Sequence, residues 1–100
     1  MQLRLCKLSD LKDEEIKGFD LQGKHLIAIR KGNEVFVLDG ICTHEEYDLA
    51  NGFLLEDRVI CPLHLSQFDI RTGKVVNPPA EKPLRTYSVK IVEGEVYIEL

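Results

Sequence analysis

Two short segments near the middle of the chain each combine one cysteine with one histidine. They read Cys42-Thr43-His44 and Cys61-Pro62-Leu63-His64, and 16 residues lie between them. Together they supply two thiolates and two imidazoles, in the same order, from two separate parts of the chain. One kind of iron–sulfur cluster takes this ligand set, with two cysteines on one iron and two histidines on the other. The four residues therefore predict a metal centre and a role as an electron carrier.

The same residue types support other chemistry. A structural zinc ion accepts two cysteines and two histidines, although zinc sites usually draw each like pair from one short segment. A zinc-stabilised binding module without a redox role therefore stays open as the alternative from another class. A Cys–His nucleophile would explain one segment but not both. The third histidine, His25, has no cysteine nearby and is expected to be an ordinary, partly buried residue of a sheet.

The elements that must position these residues are predicted to be strands. Hydrophobic alternation is interrupted by turn signals about every ten residues, which is typical of an all-β domain. A hairpin with a Gly32-Asn33 turn leads into the first Cys-His segment, and its register places Ile29 opposite Phe36 and Ile27 opposite Leu38. The second segment falls between predicted strands 57–60 and 67–70.

The rest of the chain adds strands and one stiff loop. Strands are predicted over 1–7 and 15–21, with a polar connector over 9–14. The last hairpin is predicted to pair Tyr87 with Leu100, Val89 with Ile98, and Ile91 with Val96. Three of the four prolines fall in 77–83, which predicts a loop because proline fixes φ and lacks an amide donor.

The composition describes one small domain with a mild negative charge. The chain has 13 Lys and Arg against 17 Asp and Glu, a net charge of −4, and no basic cluster suited to nucleic acid. No apolar run approaches the roughly 20 residues of a membrane-spanning helix, and the polar N-terminus does not read as a secretory signal. Because two of the three cysteines belong to the Cys-His segments, Cys6 is left unpaired, which indicates a reducing compartment. We expect a cytoplasmic protein.

The spacing Cys-x-His-x₁₆-Cys-x₂-His resembles the Rieske [2Fe–2S] motif. The resemblance extends to Phe68-Asp69, Thr72-Gly73, Pro78-Pro79 and Thr86-Tyr87-x-Val89, and it is to the small soluble Rieske ferredoxins. It implies one domain over 1–100, built as stacked antiparallel sheets with cluster-binding loops at about 41–49 and 61–67. It also implies one [2Fe–2S] cluster, with Cys42 and Cys61 as ligands of the buried iron and His44 and His64 as ligands of the outer iron. Loop 77–83 would pack over the cluster as its third wall.

The resemblance also implies a function. Such a protein is not itself an enzyme but carries electrons from a flavin-dependent ferredoxin reductase to a terminal oxygenase, and it needs neither nucleic acid nor a membrane. The small Rieske subunit of a nitrite reductase is the alternative that uses the same cofactor. One departure concerns the second loop: family members usually carry glycine after the second histidine, whereas this chain has Leu65.

Other departures predict a low reduction potential within the Rieske range of about −150 to +300 mV. High-potential members carry a disulfide between the two loops, and its cysteines are replaced here by Tyr47 and Leu63. They also carry a tyrosine hydroxyl near a ligand sulfur, and Phe68 has none. Acidic residues after the first histidine would disfavour an added electron and could dock a basic partner; they are Glu45, Glu46 and Asp48.

Overall fold

The computed structural model describes all 100 residues as three antiparallel sheets. The strands are β1 (Gln2–Lys7), β2 (Ile16–Leu21), β3 (Lys24–Lys31), β4 (Glu34–Asp39), β5 (Phe53–Leu55), β6 (Arg58–Ile60), β7 (Gln67–Asp69), β8 (Val75–Asn77), β9 (Thr86–Tyr87), β10 (Val89–Val92) and β11 (Glu95–Glu99). Their spatial orders are β1-β11-β10, β2-β3-β4-β9 and β5-β6-β7-β8. The prediction of an all-β fold of stacked antiparallel sheets is confirmed.

Helical structure is limited to two short 3₁₀ turns. They span Leu8–Asp10 and Leu49–Asn51. Neither turn has the length or the apolar composition that a helix needs to cross a bilayer.

Strand β3 lies between two hydrophobic cores. Successive side chains of a strand point to opposite faces, so Ile27 and Ile29 enter one core while Leu26 and Ala28 enter the other. The first core also contains Cys42 and Cys61. The second is covered by the sheet β1-β11-β10. All four β3 side chains are fully buried, so this strand is a rigid base for the segments that pack on it.

The central hairpin forms as predicted. Strands β3 and β4 pair Ile29 with Phe36 and Ile27 with Leu38. In the last hairpin, Val89 pairs with Ile98 and Ile91 with Val96, also as predicted.

The predicted pairing of Tyr87 with Leu100 is wrong. Tyr87 belongs to β9, which pairs with β4 through Val37. Its ring lies in the second core, and its hydroxyl donates to Asp39 Oδ1 at 2.5 Å. These contacts favour the edge of β4 over an extension of the last hairpin. Burial, followed by the bond to Asp39, raises the pKa of Tyr87 to about 12.

Candidate metal centre

The first loop, 41–48, follows β4 and is closed by its own backbone. The amide of Cys42 donates to the Tyr47 carbonyl at 2.8 Å, and the amide of Glu46 donates back to the Cys42 carbonyl at 3.1 Å. An isolated bridge between Ile41 and Asp48 joins the two ends. The backbone therefore forms a compact frame around Cys42.

The second loop, 61–66, repeats this frame between β6 and β7. The amide of Cys61 donates to the Ser66 carbonyl at 2.9 Å, and the amide of Leu65 donates to the Cys61 carbonyl at 3.0 Å. Each frame joins the cysteine to the fifth and fourth residues after it. The two cysteines are therefore held by the same local geometry.

Leu65 occupies the position where the repeated frame needs a left-handed residue. Its φ is 62°, and the corresponding Glu46 in the first loop has a φ of 52°. L-residues other than Gly, Asn and Asp rarely adopt this conformation because Cβ then crowds the following carbonyl. Leu65, where family members usually carry glycine, therefore adopts a strained backbone conformation. The hydrogen bonds of the second loop still form.

The four predicted ligands converge, with the cysteines inside and the histidines outside. Cys42 and Cys61 are each 1% exposed and lie in the same hydrophobic core. The side chains of His44 and His64 are 36% and 61% exposed, and their ring centroids are 5.8 Å apart. His25 lies outside this group, on β3.

The proline-rich segment covers one side of the two loops. Ala80 is 2% exposed in the core that holds both cysteines, and its amide donates to Ser66 Oγ at 3.0 Å. Thr43 Oγ1 donates to the Lys82 carbonyl at 2.7 Å, so the segment contacts the first loop as well. Because the Ser66 hydroxyl accepts from Ala80, its own proton stays available to a further acceptor in this buried place.

This donor set fits a Rieske cluster. Burial raises the pKa of the Cys61 thiol, and the neighbouring Cys42 thiol raises it further, although the Leu63 amide acts in the opposite direction. Thiols kept protonated by burial become thiolates when a cationic metal centre supplies the compensating charge. Two buried sulfurs beneath two exposed imidazoles match the two unlike irons of such a cluster. All three cysteines are free, so no disulfide joins the loops.

Glu45 is a component of the site that sequence reasoning placed only loosely. Its Oε1 lies 3.1 Å from His44 Nε2 and 3.6 Å from His64 Nδ1, so one carboxylate faces both imidazoles. The available signal was its position directly after His44. The expectation that acidic residues lie near the centre therefore holds most closely for Glu45.

Asp48 is placed differently from the docking role expected of it. Its Oδ1 accepts from the Ala50 amide at 2.9 Å and lies 2.8 Å from His25 Nε2. Burial would raise the pKa of Asp48, but the Ala50 amide and the His25 ring outweigh burial and lower it. Asp48 is therefore bound to His25 of β3. Of the three acidic residues, only Glu45 and Glu46 remain available to contact a partner.

A small antiparallel β protein whose paired loops bury two cysteines beneath two exposed histidines has the architecture of an iron–sulfur electron carrier. The family model for the Rieske [2Fe-2S] domain matches residues 1–88. This chain belongs to the Rieske [2Fe–2S] family, and its cofactor is a Rieske-type [2Fe–2S] cluster.

Named relatives are components of dioxygenase systems. The chain is 34% identical over 93 residues to the ferredoxin component of the naphthalene 1,2-dioxygenase system of Pseudomonas putida, covering 93% of this chain and 89% of that protein. It is 32% identical to a chain in the solved complex of reduced oxygenase and oxidized ferredoxin of carbazole 1,9a-dioxygenase. That likeness has a TM-score of 0.90 and covers 97% of this chain and 91% of the other.

The fold is shared more widely than the sequence. A protein assigned as the small subunit of an NADPH nitrite reductase has a TM-score of 0.88 over 100% of this chain and 99% of its own, at 16% identity. This likeness shows the fold alone.

Proposed function

We propose that the chain is the ferredoxin component of an oxygenase system. It takes one electron at a time from a flavin-dependent ferredoxin reductase and passes it to a terminal oxygenase. The observation that carries the proposal is the pair of exposed imidazoles above two buried cysteines, in a chain similar to ferredoxin components over nearly all its length. The chain is a carrier rather than an enzyme, and it changes no substrate bond itself.

We propose that Cys42 and Cys61 hold the buried iron and that His44 and His64 hold the outer one. When bound, the cluster supplies reversible one-electron chemistry. The chain contributes the surroundings: the cores and loop 77–83 exclude water from the sulfur side, whereas the imidazole side faces solvent. Residues 1–100 form the single domain that supports this site.

The exposed tip has the composition of a small docking face. Leu63 and Leu65 are 44% and 54% exposed on either side of His64, and Glu45 lies beside the same ring. Redox partners meet through small, short-lived interfaces, and opposite charge speeds their encounter. We propose a partner face that is apolar at its centre and basic at its rim. Electron-transfer rates that stayed constant as salt increased would contradict the basic rim.

A cytoplasmic location is part of the same proposal. It is supported by three free cysteines, two of which must stay reduced until they bind metal.

Two candidate functions compete with the proposed one. A nitrite reductase subunit would use the same cluster with another partner, and a zinc module would be colourless.

Ligation is tested by replacing the donors one at a time. The visible and electron paramagnetic resonance spectra of a Rieske cluster should disappear in His44→Ala, His64→Ala, Cys42→Ala and Cys61→Ala, because each substitution removes a metal ligand. The matched control is Cys6→Ala, which removes a cysteine away from the four donors and should keep the bands. His25→Ala removes an imidazole that is not one of the four donors, so the freshly assembled cluster should keep the Rieske band shape even if the cluster is released faster. Bands that survived in His64→Ala would contradict the ligand set.

The partner is tested with the purified protein. After reduction through a flavin reductase, it should pass one electron per chain to a Rieske-type terminal oxygenase, measured by stopped-flow absorbance. Transfer to a nitrite reductase catalytic subunit but to no oxygenase would favour the alternative function.

A further inference from the structure

His25 is held between two carboxylates that belong to different elements. Its Nδ1 lies 2.7 Å from Asp20 Oδ1 on β2, and its Nε2 lies 2.8 Å from Asp48 Oδ1 at the end of the first loop. The imidazole side chain is 25% exposed. An ionised carboxylate can only accept hydrogen bonds, so both ring nitrogens must carry protons to satisfy this geometry. The arrangement therefore selects the imidazolium form of His25.

The ring occupies a slot between two glycines. A Cβ at Gly40 would lie 2.6 Å from Cδ2 of the His25 ring, and a Cβ at Gly18 would lie 3.3 Å from its Cε1. Neither glycine has a positive φ, so their use here is to leave space for the ring rather than to allow a turn. Both contacts indicate a position built for an imidazole.

His25 contacts both ends of the first loop. Its carbonyl accepts from the amide of Gly40, just before the loop, at 2.9 Å. Its ring binds Asp48, the last residue of the loop, whose Oδ1 also caps the following 3₁₀ turn through the Ala50 amide. Cys42 and His44 lie between these two attachments, and Thr43 adds a contact to the Lys82 carbonyl. The second loop has no ion pair at its ends; its ion-pair contact is at His64, whose Nδ1 lies 3.6 Å from Glu45 Oε1.

We propose that His25 is a positioning residue for the cluster. As an imidazolium it holds the end of the first loop against β3 and so keeps Cys42 and His44 at their ligand positions, and deprotonation weakens this hold. The proposal rests on the proposed ligand roles of these two residues.

The sign of the pH dependence follows from the partners. The hydrogen bonds to Asp20 and then to Asp48 raise the pKa of His25, against a smaller opposing effect of burial. The two glycines packed against the ring, Gly18 and Gly40, carry no ionisable side chain, so Asp20 and Asp48 are the charged groups that face it. The stabilisation is complete below the ordinary histidine value of 6.5 and is lost as pH rises through the raised pKa. Asp48 stays ionised over this range because its own pKa is lowered.

The test measures cluster loss from the holoprotein. Visible absorbance is followed in the presence of excess chelator from about pH 6 to about pH 9, a range that brackets an upward-shifted histidine pKa. The loss of one charge-assisted contact on a partly exposed group predicts a rate increase of about tenfold across this range in the unchanged protein. His25→Gln, which cannot change its charge, should remove that increase.

Two aspartate variants separate the loop contact from the strand contact. Asp48→Asn should also remove the increase, because the amide keeps the cap on Ala50 but has no charge for His25. Asp20→Asn should keep the increase and shift its midpoint to lower pH, since the loop contact remains. Any pH dependence shared by all four proteins belongs to the ligands and cancels in the comparison.

The outcomes decide between the proposals. Equal profiles in the four holoproteins, or a profile lost in Asp20→Asn as fully as in Asp48→Asn, would overturn the positioning role. The role would also be overturned if the changes in the rate of cluster loss followed changes in the thermal unfolding midpoint, measured by far-ultraviolet circular dichroism. The variants would then act on the stability of the whole protein. A purified protein without the visible bands would overturn the proposed function itself, and this inference with it.

Discussion

The two cluster loops share one backbone frame but are attached to the protein in different ways. In both, the cysteine amide and carbonyl are bonded to the fifth and fourth residues after it. The first loop is then tied to β3 and β2 through ionised groups, Asp48 and His25. The second loop is tied to the proline-rich segment through neutral groups, Ser66 and the carbonyl of Leu65, which accepts from Asn77 at 3.0 Å.

The backbone frame and the attachments therefore have different roles: the frame positions the proposed ligands, and the attachments differ between the loops. The shared frame places the two cysteines alike, so the proposed ligation rests on backbone geometry common to both loops. We expect the attachments to determine how each loop responds to pH, to salt and to substitution. The first loop combines its charged attachment with Glu45 beside both imidazoles, whereas the second is apolar at its exposed tip, at Leu63 and Leu65.

The largest effect is expected where a buried neutral attachment is removed. Ser66 is 1% exposed, and Ser66→Ala would leave the buried Ala80 amide without its acceptor. An unsatisfied buried donor costs about 1–3 kcal/mol, so the apparent melting temperature of the holoprotein should fall by at least ~4 °C. Scanning calorimetry at a fixed scan rate measures the shift.

The matched substitution in the first loop is Thr43→Val, which removes the hydroxyl that donates to the Lys82 carbonyl. That carbonyl belongs to an exposed residue and can bind water instead, so a loss below about 0.5 kcal/mol is expected. Equal losses in the two variants would show that the loops depend on the proline-rich segment to the same degree.

A smaller effect tests the shared frame itself. Leu65→Gly removes the left-handed strain at φ 62° from a side chain that is 54% exposed. Relief of that strain, about 1–2 kcal/mol, is partly offset by the greater freedom of glycine in the unfolded chain, so a net gain of about 0.5 kcal/mol is expected. The corresponding Glu46→Gly should gain a similar amount by the same calorimetry.

The control for both is Leu63→Gly, at an exposed residue of the second loop without a positive φ. It should lower stability, because glycine adds freedom to the unfolded chain and relieves no strain. A gain there, or a gain in only one of the two left-handed positions, would contradict the equivalence of the frames.

Sequence reasoning could propose the four ligands because the chemistry of Cys-His segments is local. Cys-x-His and Cys-x₂-His identify donors without any knowledge of tertiary structure, and the hairpin before the first loop was fixed by its Gly32-Asn33 turn. Strands β5 and β8 were not predicted as strands because neither Phe53-Leu54-Leu55 nor Val75-Val76-Asn77 alternates between apolar and polar residues.

The contacts that were missed join residues distant along the chain. His25 and Asp48 are 23 positions apart, and their bond depends on the space left by two glycines on other segments. A strand histidine near no cysteine gives no sign of this in the sequence. The frame repeated in the two loops was equally hidden, because Glu46 and Leu65 share a backbone conformation but no chemical property.

The smallest effect concerns charge at the first loop. Glu45 Oε1 lies 3.1 Å from His44 Nε2, and its negative charge opposes the addition of an electron nearby. Because Glu45 is 39% exposed, solvent screens this effect, and Glu45→Gln should raise the reduction potential by on the order of 20 mV. Protein-film voltammetry at low salt measures the change.

Glu46→Gln is the matched control because it removes the same charge from the next residue, which is exposed and makes no side-chain ion pair. A shift less than half as large is expected there, and added salt should reduce both. Equal shifts would mean that net charge, not the position of Glu45 between the imidazoles, sets this contribution. The unchanged protein has Phe68 in place of a tyrosine and no disulfide between the loops. Its midpoint reduction potential should therefore lie below about +100 mV. A higher value would contradict the contrast drawn with high-potential members of the family.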